Sequence, residues 1–403
     1  MSHNSAVSLT SRAREYLGLN RNIGVLALST FGLALGEELW LAFLPAYLVA
    51  LGASGLFVGA FSSLKDLLDG LYQYPGGWLS DRIGLKRSLM VFTGVALAGY
   101  GLAAAAPGWE VLFAALVLIM AWKSGAFPAS FAIIGDALPK GKRGIAFSVI
   151  SMLQRVPRVL GAPLGGLLIT TYGVVAGMRS ALVVTIFLAC GVLLFQKLWY
   201  RADAVRERHD SSDGFVQVLK SMSPTLKRLL GVECIIRTAE AIAASFIVLY
   251  VIEVQGYSAG TFGLLFALQQ ATAIALYIPS GRIADVTGRR PIIAFTFFCF
   301  AAFPLAVVLA GSPALLVSAF VIGGLKEFGE PARKSLIVDL VDPGQRGRMV
   351  GVYYTVRNLS IVPAGILGGV LWQMSPAYPL LSACGVGFAG IFLFLYLSRE
   401  GFT

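Results

Sequence analysis

Fifteen ionisable side chains stand within otherwise apolar stretches of this chain. The acids are Glu37, Glu38, Asp66, Asp69, Glu233, Glu240, Glu327 and Glu330, and the bases are Lys65, Lys123, Arg155, Arg158, Arg237, Lys326 and Arg357. Carboxylates and cations interleaved in this way can carry protons, hold a charged solute, or neutralise one another as buried pairs. Helical spacing groups some of them: Glu233, Arg237 and Glu240 fall at i, i+4 and i+7, and Lys326 with Glu330 at i, i+4. Glu37, Glu38, Asp66 and Asp69 are the candidate proton carriers. Lys123, Lys326, Glu240, Arg237, Glu330 and Arg357 are the candidate solute contacts. The four acids could also coordinate a hard cation, but Lys65 beside them and the lack of membrane His or Met-Cys ligand clusters argue against a selective transition-metal site. No metal and no cofactor is expected.

The remaining chemistry is narrow. His3 and His209 are the only histidines and both lie in hydrophilic stretches, which removes His-centred metal sites and Ser-His hydrolysis from the apolar segments. Cys190, Cys234, Cys299 and Cys384 stand singly, with the spacing of packing residues rather than of ligands or disulfides. No GxxxxGK[ST] phosphate loop occurs, so any transport must draw on a gradient. An enzyme is not expected.

The elements that position these charges follow from composition. Of 403 residues 57% are hydrophobic and 13% charged, and mean hydropathy is +0.77; a soluble domain is about 45–50% apolar and about 25% charged. The chain is therefore an all-α membrane protein. Apolar runs long enough to cross a bilayer lie near 23–50, 56–79, 88–106, 111–135, 144–170, 178–197, 226–254, 260–282, 291–310, 314–338, 347–372 and 377–397. Seven of the 32 Lys and Arg lie well inside these spans, Arg179 lies at an odd-to-even loop, and the other 24 lie in the tails, the even-to-odd loops and the span ends that border them. That bias places both termini in the cytoplasm. It also assigns the net charge of +11 to topology rather than to nucleic acid. The first run is too long for a signal peptide.

At about 2.5–3.5 kcal/mol each, fifteen unpaired intramembrane charges would cost roughly 40–50 kcal/mol, so they must face one another or water. Spans 3, 6, 9 and 12 carry no charge in their apolar cores and are expected to face lipid.

Shifting the chain by 203 residues lays PASFAIIGDALPKGKRG (128–144) over PARKSLIVDLVDPGQRG (331–347), and Gly165-Gly166 over Gly368-Gly369. One residue more matches Pro75, Gly77, Asp81 and Gly84 with Pro279, Gly281, Asp285 and Gly288. Two copies separated by an even number of spans share one orientation and are related by an axis along the membrane normal. The expected layout is a tail over 1–22, a six-helix bundle over 23–200, a linker over 201–224, a second six-helix bundle over 225–397 and a tail over 398–403. The shift superposes Lys123 on Lys326 and Glu37 on Glu240, so each half is expected to present an acid and a base to one cavity.

Gly77-Trp-Leu-Ser-Asp81-Arg-Ile-Gly84-Leu-Lys86-Arg87 resembles the GxLaDrxGrk loop of the major facilitator superfamily, and Gly281-Arg-Ile-Ala-Asp285-Val-Thr-Gly288-Arg-Arg290 resembles its second copy. The resemblance implies alternating access by rocking of two pseudo-symmetric six-helix bundles around a cavity near mid-membrane. It also implies cytoplasmic gating clusters: Asp81 with Arg87 and Asp136, and Asp285 with Arg290 and Asp339. Two departures stand out. The span-4 pattern RxxqG would place Arg at 121, where this chain has Ala121, with Lys123 nearby. The antiporter pattern GPxxGG stands as Gly161-Ala-Pro163-Leu-Gly165-Gly166, which also reads as a GxxxG packing face.

The functional expectation is a proton-coupled secondary transporter of an organic small molecule, leaning to export by proton antiport. It is expected to act as a monomer in the cell (inner) membrane, with lipid, solute and protons as its partners. An uptake symporter for an anionic or zwitterionic solute, a metal-ion transporter and a non-transporting receptor are the alternatives.

Overall fold

The computed structural model describes residues 21–122, 143–200, 215–330, 333, 336–337, 340–341 and 346–399. Lys123, Asp136 and Asp339 lie outside the described residues, as do residues 201–214 of the expected linker. Helix accounts for nearly all of the rest, with no strand among the described residues.

The first half contains α1 (Arg21–Glu38), a 3-10 turn over Leu41–Phe43, α2 (Leu44–Ala50), α3 (Gly55–Ile83) and α4 (Leu85–Ala104). It continues through α5 (Trp109–Trp122), α6 (Arg143–Tyr172) and α7 (Val174–Trp199). A short helix, α8 (Phe215–Ser221), falls within the expected linker. The second half contains α9 (Pro224–Leu249), which runs into a π-helical turn over Tyr250–Val254, then α10 (Ala259–Thr287), α11 (Arg289–Leu309), α12 (Pro313–Leu325), α13 (Arg346–Met374) and α14 (Tyr378–Arg399). Among the described residues eight segments are long and apolar enough to cross a membrane, and α5 and α12 are shorter apolar helices. The 29-residue α3 and 30-residue α6 are as long but carry Lys65, Asp66 and Asp69, and Arg155 and Arg158.

Local sequence sets the helix ends. Ser223, Ser258 and Ser312 cap α9, α10 and α12 by accepting the backbone N–H groups of Leu226, Thr261 and Leu315, each three residues on. Gly84 (φ +86°, ψ +156°) separates α3 from α4, and Gly288 (φ +82°, ψ +162°) separates α10 from α11. Only glycine enters that region readily. The two residues matched by the internal repeat therefore make the same turn in the two halves.

Two long helix pairs join the halves, α3 with α13 and α6 with α10. Both depend on missing side chains: a methyl group on Gly59 would overlap the carbonyl of Gly365, and one on Gly263 would overlap the carbonyl of Ala162. These contacts lie toward the end of the bundle opposite the helix ends at Arg21 and Arg399. At that same end Arg179, expected in a loop, lies in the second turn of α7 and donates to the Ala106 carbonyl at 2.8 Å.

The helices whose apolar cores carry no charge, α4, α7, α11 and α14, turn large apolar side chains outward, among them Val91, Phe187, Phe298 and Phe392. That is the surface a bilayer covers. The expectation that the ninth span only faces lipid is corrected, however. While Phe295, Phe298 and Leu309 of α11 are exposed, Phe300, Phe303 and Pro304 line an internal cavity; a helix of 3.6 residues per turn serves both faces.

Candidate functional site

Two helices break where their charges stand. α1 ends at Glu38, and the chain passes through Leu39 and Trp40 into the 3-10 turn before α2 restarts with Pro45 in its first turn. Proline has no N–H to donate back to a preceding turn and is suited to a helix start. Glu37 and Glu38 thus occupy a helix C-terminus, whose dipole repels carboxylates, and each finds a compensating donor. Tyr100 on α4 donates its hydroxyl to Glu37 Oε1 at 2.7 Å. Arg158 on α6 holds Glu38 through Nε and Oε1 at 3.1 Å. Both carboxylates are only 6% exposed.

The second break corrects the expectation of a mid-helix Lys326. α12 stops at Leu325 and residues 326–329 form a turn. The backbone N–H of Gly329 donates to Thr296 Oγ1 on α11 at 2.7 Å. Here the dipole favours the charge, because Lys326 is a cation at a helix C-terminus.

Between the halves lies a cavity of about 240 Å³ walled by α2, α3, α9, α10, α11 and α12. Its lining is largely apolar and contains six phenylalanines, Phe61, Phe262, Phe266, Phe300, Phe303 and Phe320. Ser62, Ser245 and Gln269 are polar, and Lys65, Glu240 and Lys326 are charged. Lys326 Nζ lies 2.6 Å from Glu240 Oε1, and 5.2 and 5.8 Å from the ring centres of Phe300 and Phe303. Such cation–ring contacts supplement the ion pair.

From Glu240 a network runs away from the cavity. Arg237 Nη1 contacts Glu240 Oε2 at 2.7 Å, and its Nη2 lies 3.5 Å from Glu330 Oε2. Arg333 bonds Glu330 and lies 3.0 Å from Glu233, with Arg333 only 2% exposed and Glu233 fully buried. Arg357 approaches Glu233 at 3.9 Å and covers the ring of Tyr354 at 4.5 Å. Next to Lys326, Glu327 reaches across to the first half, where Arg155 Nη2 meets its Oε2 at 3.0 Å.

Five of the six candidate solute contacts, Lys326, Glu240, Arg237, Glu330 and Arg357, therefore share one network. The candidate proton carriers are spread along α1 and α3. Glu37 and Glu38 sit at the break after α1, Asp66 pairs with Lys65 at 3.2 Å, and Asp69 lies half-buried a turn further along α3. Glu37 and Glu240 occupy repeat-related positions, yet Glu240 lines the cavity while Glu37 is buried against Tyr100. Arg155 and Arg158 have Glu327 and Glu38 as partners. Of the gating candidates, Asp81 lies near the end of α3 and Asp285 near the end of α10, while Arg87 is exposed on α4 and Arg290 half-buried on α11.

Sequence reasoning missed Arg333, although its place one turn after Glu330 was a usable signal. It named Lys65 without giving it a role, and passed over Tyr100 and the cavity phenylalanines, which resemble any other apolar residue in a membrane segment.

A helical membrane protein with a cavity between two sequence-related halves has the architecture of a secondary transporter. The family model of the Major Facilitator Superfamily matches residues 26–232 and 229–402, and the chain belongs to that family. It is 22% identical over 386 residues to an uncharacterized MFS-type transporter of Methanocaldococcus jannaschii, covering 90% of this chain and 91% of that one. It is 28% identical over 373 residues to a multi-drug resistance efflux pump PmrA homolog of Lactococcus lactis, covering 87% and 88%. The nucleoside transporter NupG has the same fold, with a TM-score of 0.77 at 13% identity over 94% of this chain and 100% of that one.

Proposed function

We propose that this chain exports an organic small molecule by proton-coupled alternating access across the cell (inner) membrane. The observation that carries the reading is the position of Glu38. It is buried at the break in α1, paired with Arg158 on α6, and Gly161 of α6 packs against its backbone and Cβ. The same α6 crosses to the second half one turn further on, where Gly166 meets Ala259 and Gly260 of α10.

A proton on Glu38 cancels the charge that holds Arg158 and frees α6 to move relative to α1. Because α6 also forms the crossing with α10, that local change bears on the closure between the halves. Glu37, Asp66 and Asp69 are the supporting proton sites, and the cavity beside Lys326 and Glu240 is the substrate site. The clusters of Asp81, Arg87 and Asp136 and of Asp285, Arg290 and Asp339 are assigned to closing the end that carries the termini. The similarity to an efflux pump homolog supports export.

The test has two arms. In proteoliposomes with an imposed pH gradient, Glu38→Gln abolishes gradient-driven movement of a transported compound and spares exchange at equilibrium; full coupling in the variant overturns the proton assignment. In cells, loss of the protein sensitises growth to a toxic organic compound. Loss of growth on a nutrient instead reverses the direction.

A further inference from the structure

We propose that the cavity is built for a compact organic anion, whose acidic group lies between Lys326 and Lys65 and whose aromatic or alkyl body lies against the phenylalanines. The inference rests on the assignment of this cavity as the substrate site and adds the substrate class.

The charged groups of the wall decide the sign. Among the described residues they are two ammonium groups, Lys65 and Lys326, and one carboxylate, Glu240. Both oxygens of that carboxylate already meet cations, Oε1 with Lys326 at 2.6 Å and Oε2 with Arg237 at 2.7 Å. A cationic ligand would have to displace one of these built-in partners while facing Lys65. An anion meets the opposite situation. The Lys326 ammonium has three donors, and among the described residues its contacts are one carboxylate oxygen and the faces of Phe300 and Phe303. Lys65, with its side chain 38% exposed, pairs with its neighbour Asp66 and still reaches the cavity.

The network behind the wall makes the exchange feasible. When Lys326 turns from Glu240 to a ligand, Glu240 retains Arg237, so no carboxylate is stranded. Along the described network four cations, Lys326, Arg237, Arg333 and Arg357, face three carboxylates, Glu240, Glu330 and Glu233. Lysine also suits a ligand that must leave again, being a point charge on a flexible stem rather than a bidentate clamp. The volume of about 240 Å³ lies below the roughly 300–1,000 Å³ of sites for drug-sized ligands, which points to a body of one or two rings.

The experiment is equilibrium binding to the full chain in lipid nanodiscs, using two probes with the same body and opposite charge, 1-naphthaleneacetate and 1-naphthylmethylammonium. The anion binds at least about tenfold tighter, a difference equivalent to about 1.4 kcal/mol. Lys326→Gln removes most of that preference, whereas Glu240→Gln, which deletes the competing carboxylate, tightens the anion. The second variant separates a ligand site from a structural strut, since a strut has no reason to improve binding. Equal or tighter binding of the cation, binding of neither probe, or weaker anion binding in Glu240→Gln overturns the proposal. No gradient is involved, so failure here leaves proton-driven export standing, and failure of the gradient assay leaves the anion site standing.

Discussion

The two halves share a repeat and a helix order but treat their buried charges differently. In the second half Lys326, Glu240, Arg237, Glu330, Arg333, Glu233 and Arg357 form one continuous network in which the inner members have almost no exposure. In the first half the described contacts are local ones: Tyr100 on Glu37, Arg158 on Glu38, and Lys65 on Asp66. A network shares the loss of one member among several neighbours at its edge but strands a charge at its centre. A carboxylate with a single cationic partner changes its own surroundings completely on taking up one proton. The contrast fits a division of labour in which the second half presents charge to a solute and the first half responds to protons.

The comparison breaks most directly at the centre of the network. Arg333→Met leaves the buried Glu233 with Arg357, at 3.9 Å, as its remaining ion-pair partner among the described residues, and a loss of about 3–5 kcal/mol is expected, read as a lower denaturation midpoint in detergent. Arg158→Met, whose side chain is 38% exposed, should cost clearly less; equal losses would show that the two halves do not differ in this respect. Next in size is the contrast in coupling. Glu38→Gln should lose gradient-driven transport, while Glu240→Gln should keep it with a changed substrate affinity, and the reverse pattern would exchange the roles of the halves.

Tyr100→Phe sharpens the comparison further. It removes a hydrogen bond to a charged acceptor, worth about 1.5–3 kcal/mol, without creating a cavity, and the shift should be visible in the same melting assay. A variant indistinguishable from the parent would mean that Tyr100 does not hold Glu37. The smallest effect belongs to Lys65→Gln, where a partly exposed pair contributes about 0–1 kcal/mol to stability. Its consequence should therefore be seen in anion affinity and not in the melting midpoint.

Much of the fold was legible because a bilayer makes hydropathy and charge speak about position. The apolar runs, the repeated Gly84 and Gly288 turns and the charge-free core of every third span follow from which residues lipid and tight turns accept. The breaks at Glu37–Trp40 and Lys326–Gly329 were not legible, since an apolar run reads as a continuous span whether or not its hydrogen-bond ladder is interrupted. Pro45 marked the first break only once the preceding turn was known, and the second depends on Thr296, 33 residues away from Gly329.

The sequence by itself determined that the intramembrane charges had to be paired, because fifteen unpaired charges are too costly in hydrocarbon. It also determined which helices carry them, since period and repeat are local properties. Tertiary structure alone decided the partners. Arg155 meets Glu327 across 172 positions, Arg158 meets Glu38 across 120, and Lys326 meets Glu240 across 86. Coulomb attraction falls off over a few ångströms of separation in space, and how far apart two residues stand along the chain does not specify that separation. It is set by the packing of whole helices, through glycine crossings such as Gly59 against Gly365, which bring one particular pair of faces together.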